Sequence, residues 1–147
     1  MPEKRTRDAA KRDLRQGKSA STAAGEYVRE EMHHIREGKH GARSPEQAIA
    51  IGLSKARRAG VVLGTPKHAS ATTRKQAKRD TAKAHAHRAV SATRSRATSK
   101  ALKHEGHAAA SKGALASHAH KVAGRKTAAE RSAAGRKAAR TRKAEGK

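Results

Sequence analysis

The 147-residue sequence has no cysteine, phenylalanine or tryptophan, and only one tyrosine. Without cysteine there can be no disulfide, thiolate metal site or cysteine nucleophile, and a reducing compartment is permitted. The shortage of aromatic side chains argues against platforms that stack single-stranded bases and against RNA-recognition sheets. The longest strongly apolar run is residues 61–63, and the N-terminus has no apolar stretch. The sequence therefore predicts neither a secretory signal nor a membrane-spanning segment.

Acidic residues are also scarce, with 12 Asp and Glu against 36 Lys and Arg, which gives a net charge of +24. Residues 1–64 carry 14 basic and 8 acidic side chains, whereas residues 65–147 carry 22 and 4. Gly64, Thr65 and Pro66 lie at this step in charge. We therefore predict three parts: a basic N-terminal arm (residues 1–20), a helical hairpin (21–64) and a basic tail (65–147).

The hairpin holds most of the large apolar residues, and its helix boundaries are well marked. Ser44 is a good N-cap, Pro45 suits the first helical position, and Gln47 completes a capping box. Gly60 stands where a left-handed C-terminal cap belongs, and Gly38 provides the stop of an earlier helix. The sequence predicts an all-α fold with helices over about 22–37 and 45–59.

Helical periodicity assigns a face to each predicted helix. The inner face of the first helix contains Ala24, Tyr27, Val28, Glu31, Met32 and Ile35. Its outer face contains Arg29, Glu30, His33, His34 and Arg36. The inner face of the second helix contains Ala48, Ile49, Gly52, Leu53, Ala56 and Ala59.

Four apolar residues do not fit a lone hairpin: Ile51, Val61, Val62 and Leu63. About 40 residues are few for a self-sufficient core, so one interpretation is a homodimer that buries these four side chains. The alternative is an exposed Ile51 and a segment that packs back onto its own hairpin.

The tail contains much alanine, lysine and arginine but no apolar stripe, so we expect it to be disordered or only transiently helical. Gly113, Gly124, Gly135 and Gly146 recur every eleven residues near its end. Eleven residues make about three helical turns, which would return each Gly-Arg-Lys cluster to nearly the same side of one helix.

Such a cationic chain displaces counterions from nucleic-acid phosphates. We assign nucleic-acid binding to cations of the second helix and of the tail. They are Lys55, Arg57, Arg58, Arg74, Lys75, Lys78, Arg79, Lys83, Arg88, Arg94, Arg96, Lys100, Lys103, Arg125, Lys126, Arg136, Lys137, Arg140, Arg142 and Lys143.

Candidates for catalysis or metal binding are weak. The run 30–34 does not match HExxH. Its adjacent histidines, His33 and His34, also cannot both face one metal on a helix. The pairs at 85/87 and 118/120 point to opposite sides of a helix, and the pair at 104/107 flanks a glycine. We predict no enzyme activity, catalytic residue, metal, cofactor or small-molecule substrate.

Two stretches resemble known proteins. The tail, with segments such as SKALKHEGHAAASKGALASHAHKVAGRKTAAERSAAGRKAARTRK, resembles the C-terminal tails of linker histones and of bacterial histone-H1-like proteins, although it has more Arg and almost no Pro. The segment EYVREEMHHIREGKHGARSPEQAIAIGLSKARRAG resembles a family of short basic bacterial proteins known only as a domain of unknown function. The second resemblance implies a bacterial cytoplasmic protein and brings no activity with it.

We therefore expect a nucleoid-associated, histone-like protein that coats, bridges or compacts duplex DNA without strong sequence preference. One alternative is an RNA- or ribosome-associated basic protein. Another is an interaction scaffold in which the hairpin binds a protein partner and the tail anchors the complex to nucleic acid.

Overall fold

A computed structural model describes residues 2–65, 69–86, 91–144 and 146, and this part of the chain contains helices but no strand. The all-α prediction is confirmed. The helices are α1 (Lys4–Arg15), α2 (Ala20–Arg36), α3 (Pro45–Arg58), α4 (Ala71–Ala86), α5 (Ala92–Lys103), a 3₁₀ turn (Ala108–Ala110), α6 (Lys112–Gly124) and α7 (Ala128–Ala144). The chain forms two compact units, Met1–Ser111 (unit 1) and Lys112–Lys147 (unit 2).

The first three helices all end in the same way, at a glycine with positive φ. Gly17, Gly38 and Gly60 have φ values of 73°, 73° and 92°. After α3, the N–H of Val61 donates to the carbonyl of Ala56 at 3.0 Å. This is the Schellman pattern, in which glycine takes the left-handed position because it has no Cβ to clash. The predicted stops at Gly38 and Gly60 are confirmed.

The predicted start of α3 is also confirmed, with one difference in the capping box. Ser44 Oγ accepts a hydrogen bond from the N–H of Gln47 at 3.3 Å, and Pro45 is the first helical residue. The Gln47 side chain accepts from the N–H of Arg43 at 2.7 Å, not from that of Ser44. Helix α2 begins two residues earlier than predicted, because Ser19 caps it.

Small side chains build the core of unit 1. Helix α2 packs against both α1 and α3. The buried cluster consists of Ala10, Ala23, Ala24, Tyr27, Ala56 and Val61, with Ala20, Leu53 and Leu63 packed against it. At the crossing of α2 and α3, a β-carbon on Gly52 would lie 2.7 Å from the Cα of Val28. Alanine and glycine therefore let the helices approach closely, and a tight interface forms with few large apolar residues.

The predicted outer face of α2 needs correction. Glu30 is buried and His34 is half-buried, whereas the sequence pattern placed both on the exposed side. The physical reason is α1, which the sequence suggested only as a charged arm. It covers this side of α2, and the backbone N–H of Glu3 donates to Glu30 Oε2 at 3.1 Å.

The expectation of a disordered or transiently helical tail is not confirmed, because its described residues form helices α4 to α7. Helix α4 packs against α3. The Gly41 N–H donates to the carbonyl of Leu102 at 2.8 Å, and the Ala42 N–H donates to that of Gly106 at 3.0 Å. The end of α5 is thus held by the loop between α2 and α3. The predicted boundary at residues 64–66 lies inside unit 1.

The eleven-residue repeat does not lie along one helix in the described residues. Gly124 ends α6, whereas Gly135 lies inside α7. Between them, Thr127 and Glu130 form a reciprocal capping box that starts α7. The Thr127 N–H donates to Glu130 Oε2 at 2.8 Å, and the Glu130 N–H donates to Thr127 Oγ1 at 3.2 Å. This box restarts the helix and breaks the register of the repeat.

Candidate functional site

The tail cations assigned to nucleic-acid binding are exposed throughout the described residues. In unit 1 they lie on α4 and α5, and in unit 2 they lie on α7 and in the turn before it. They are Arg74, Lys75, Lys78, Arg79, Lys83, Arg94, Arg96, Lys100, Lys103, Arg125, Lys126, Arg136, Lys137, Arg140, Arg142 and Lys143. Arg88 lies outside the described residues.

Each described acidic residue of the tail makes a structural contact. Asp80 is buried between α4 and α3. Glu105 lies 3.4 Å from the guanidinium of Arg43, and Glu130 caps α7. Glu145 lies outside the described residues. These acids therefore hold the fold together, and most of the tail's positive charge has no acidic neighbour in the sequence to neutralise it.

The three predicted cations of α3 have a different environment. Lys55 Nζ lies 2.5 Å from Glu31 Oε2 and 3.8 Å from Glu30 Oε1. Arg58 Nε donates to Asp80 Oδ1 at 2.8 Å. The Arg57 side chain is buried, and its Nε has no hydrogen-bond partner. Lys55 and Arg57 are thus drawn into the fold, whereas Arg58 is exposed but paired with Asp80.

The carboxylate of Asp80 joins α4 to α3. It accepts hydrogen bonds from Ser54 Oγ at 2.5 Å, Arg58 Nε at 2.8 Å and Gln76 Nε2 at 3.1 Å. Burial by itself raises the pKa of Asp80, but these hydrogen bonds outweigh it and leave the pKa below its ordinary value of 3.8. Asp80 is therefore a charged, well-satisfied contact inside unit 1.

A second polar cluster lies where α2 ends and the following loop folds back. Glu31, His34 and His40 each offer a ligand atom, and these atoms all lie within 4.8 Å of one another. Glu31 is fully buried, and its Oε1 is 3.1 Å from His40 Nε2. In the described part of the chain, no other group of three His, Cys, Asp or Glu residues is close enough to hold a metal ion. We call this group the Glu31 cluster.

An outer layer orients both histidines of the Glu31 cluster. His34 Nε2 lies 2.9 Å from Glu3 Oε1, and His40 Nδ1 lies 3.1 Å from the carbonyl oxygen of Gly41. The hydrogen bond from His34 is the main cause that lowers the pKa of Glu3, and Arg5 and Lys39 lower it further. The two imidazole rings stand edge to face with their centroids 6.1 Å apart.

The sequence analysis did not predict the Glu31 cluster, because it considered His33 and His34 together as candidate metal ligands. His33 is exposed and takes no part. His40 joins His34 only because the chain reverses at Gly38. The available signal was Glu-x-x-His at residues 31 and 34, followed by a histidine just after the glycine turn.

The residues proposed for self-association do not share one exposed face. Val61 is 4% exposed and belongs to the core cluster, and Leu63 packs against that cluster. Ile51 is half-buried. Only Val62, 79% exposed, is fully available. Val61 and Leu63 thus pack onto the core of their own chain, whereas Ile51 is half-buried and not exposed as the alternative interpretation had it.

No helix in the described ranges combines the length and the apolar character needed to cross a bilayer. Comparison with protein-family models, curated proteins and solved structures finds no match.

Proposed function

We propose that the protein binds duplex DNA without strong sequence preference and acts as a nucleoid-associated protein that coats, bridges or compacts it. One observation carries the proposal. In the described tail, the Lys and Arg side chains assigned to binding are exposed, while Asp80, Glu105 and Glu130 are used in contacts that hold the fold. Such a surface attracts a polyanion by releasing its counterions.

The same chemistry explains the expected weak sequence preference. Asn and Gln read adenine in the major groove, but the sequence has no Asn and only three Gln. Gln47 and Gln76 make hydrogen bonds inside unit 1. Arg and Lys dominate the exposed surface, and they contact phosphates whatever the base sequence. The near-absence of aromatic side chains favours a duplex over single strands.

Both units carry exposed cations, so one molecule has more than one surface for DNA. Unit 1 presents α4 and α5, and unit 2 presents α7. Two separately cationic units in one chain give multivalent contact with a long duplex. This supports coating, and it supports bridging when the two units meet different DNA segments.

The test compares two full-length variants with the same change in net charge. In the first, the α7 cations Arg136, Lys137, Arg140, Arg142 and Lys143 become Gln. In the second, the α1 cations Lys4, Arg7, Lys11, Arg12 and Arg15, also exposed, become Gln. Affinity for a random-sequence duplex is measured against salt concentration. Each lost phosphate contact should reduce the slope by about 0.9, so we expect a clear reduction for the α7 variant and a small one for the α1 variant.

Equal reductions in the two variants would show that net charge alone governs binding and would contradict the assignment to the tail. Competition then separates DNA from RNA as the preferred partner. We expect unlabelled duplex to displace labelled duplex at a lower phosphate concentration than ribosomal RNA does. The opposite order would favour an RNA- or ribosome-associated protein.

A further inference from the structure

We propose that Glu31, His34 and His40 form a binding site for one Zn²⁺ ion. The site lies at the end of α2, where the loop after Gly38 folds back beside the helix. Glu31 and His34 are three residues apart on α2, so they project from the same side of it. His40 approaches from the loop. This site is separate from the exposed cations proposed to bind DNA.

The distances suit a small tetrahedral ion. Glu31 Oε1 and His40 Nε2 lie 3.1 Å apart, and all three ligand atoms fall within 4.8 Å of one another. Oxygen and nitrogen atoms at about 2.0–2.2 Å from a tetrahedral zinc stand about 3.3–3.5 Å apart. Shifts of a few tenths of an ångström on the Glu31–His40 side, and a somewhat larger approach by the third ligand, would complete the coordination.

The outer layer leaves one imidazole nitrogen of each histidine free to bind a metal ion. His40 Nδ1 donates to the carbonyl of Gly41, so the lone pair of Nε2 faces Glu31 Oε1. That carboxylate oxygen is buried and has no hydrogen-bond partner. Two lone pairs at 3.1 Å repel each other unless a proton or a metal ion lies between them. His34 donates through Nε2 to Glu3, which leaves its Nδ1 for the metal. Carboxylate–histidine–metal arrangements of this kind fix ligand orientation.

The local charge also favours a cation. The carboxylates of Glu30 and Glu31 are both buried, and among the described lysines Lys55 is the one that pairs with them. Glu30 Oε1, like Glu31 Oε1, has no hydrogen-bond partner. Two buried negative charges against one positive charge leave a deficit that a bound ion corrects. A protonated His40 would correct it as well, and the test must separate these two possibilities.

The donor set selects the metal. Two imidazoles with one carboxylate suit zinc and similar transition ions, whereas magnesium and calcium prefer oxygen ligands alone. The side chains of His34 and His40 are 13% and 16% exposed, so an ion can reach the site from solvent. Three protein ligands leave a fourth position for water.

Zinc at this site would fasten the loop that holds α5. The residues directly after His40 are Gly41 and Ala42, whose N–H groups bind the carbonyls of Leu102 and Gly106. A ligand that binds only the folded protein stabilises it. We therefore expect the ion to stabilise the attachment of the end of α5 to the hairpin.

The test is Zn²⁺ binding to the full-length protein, measured by competition with a chromophoric chelator. We expect one tight site in the wild type. Glu3→Gln changes the outer layer and should lower the Zn²⁺ affinity by roughly 10–100-fold. His40→Gln and His34→Gln remove ligands, so each should lower the affinity by at least as much. His33→Gln is the matched control, since His33 is next in sequence but exposed, and it should bind like the wild type. The double variant His104→Gln/His107→Gln controls for the tail histidines and should do likewise.

Circular dichroism checks that each variant is as helical as the metal-free wild type. If His34→Gln loses helicity, His40→Gln tests the site from the loop. Zn²⁺ should raise the thermal midpoint of the wild type and of His33→Gln but not of His40→Gln. Co²⁺ should give the intense visible bands of a tetrahedral complex in the wild type and in His33→Gln but not in His40→Gln. Absence of tight binding to the wild type, or equal affinity in His40→Gln, overturns the proposal and leaves the Glu31 cluster as an ionic network.

Discussion

Gly52 lies at a close crossing of α2 and α3, and a matched pair of substitutions tests its role. A β-carbon there would lie 2.7 Å from the Cα of Val28, and neither backbone can move easily. We expect Gly52→Ala to lower the free energy of unfolding by about 1–3 kcal/mol. Gly25, inside α2, has open space around its Cα. Gly25→Ala should leave stability unchanged or raise it by up to about 1 kcal/mol, since alanine favours helix.

Urea unfolding followed by circular dichroism measures both variants. An equal loss of stability in the two variants would contradict this role. It would show that the close crossing at Gly52 does not limit the size of the side chain there. The distinction matters because the core cluster is mostly alanine. In such a core, stability depends on how near the backbones come and less on large side chains.

At the scale of elements, α4 depends on one carboxylate. Within residues 71–84 of α4, Asp80 and Ala77 are the buried residues, so little apolar surface of this part holds the helix to α3. The pKa of Asp80 is lowered in the fold. Its contribution to stability is therefore fully present above the pKa of the unfolded chain and is lost as pH falls through the lower, folded-state pKa. We expect Asp80→Asn to cost roughly 1.5–3 kcal/mol at pH 7.

The control is Asp8→Asn, which removes an exposed carboxylate of α1 and should have little effect. Urea unfolding at pH 7 and again well below pH 3.8 measures the pH dependence. The gap between wild type and Asp80→Asn should shrink in acid, because the wild-type carboxylate is then protonated too. A gap that is constant with pH would show that the charge of Asp80 is not what holds α4. Amide exchange should report faster opening of α4 in the variant.

Features that depend on residues near each other in sequence could be predicted, whereas features that depend on distant residues could not. The caps at Ser44 and Gly60 depend on neighbours within a few residues, so they were predictable. The burial of Glu30 depends on α1, which has no apolar stripe to reveal that it packs. Asp80 gives no signal either, because its partner Arg58 lies 22 residues away. The Glu31 cluster needed the path of the loop after Gly38.

For the whole molecule, the two compact units suggest ending the chain between them, after Ser111. Ending the chain after Ser111 removes 11 basic and 2 acidic side chains and leaves the core cluster intact. We expect residues 1–111 to unfold cooperatively and to bind duplex DNA with a smaller salt slope than the full chain. Ending the chain after residue 64 also removes Asp80 and should lower the urea midpoint further. Equal midpoints for the two truncations would contradict the role given to α4.

The attachment of the loop to the end of α5 has a consequence for how the chain folds. Lys55 and Glu31, which join α2 to α3, are 24 residues apart, whereas Arg43 and Glu105 are 62 residues apart. The extra entropy of closing the longer loop is less than about 1 kcal/mol, but the search is slower. Because the contacts between α2 and α3 are closer in sequence, we expect the hairpin to form early and the later, basic helices to pack onto it afterwards.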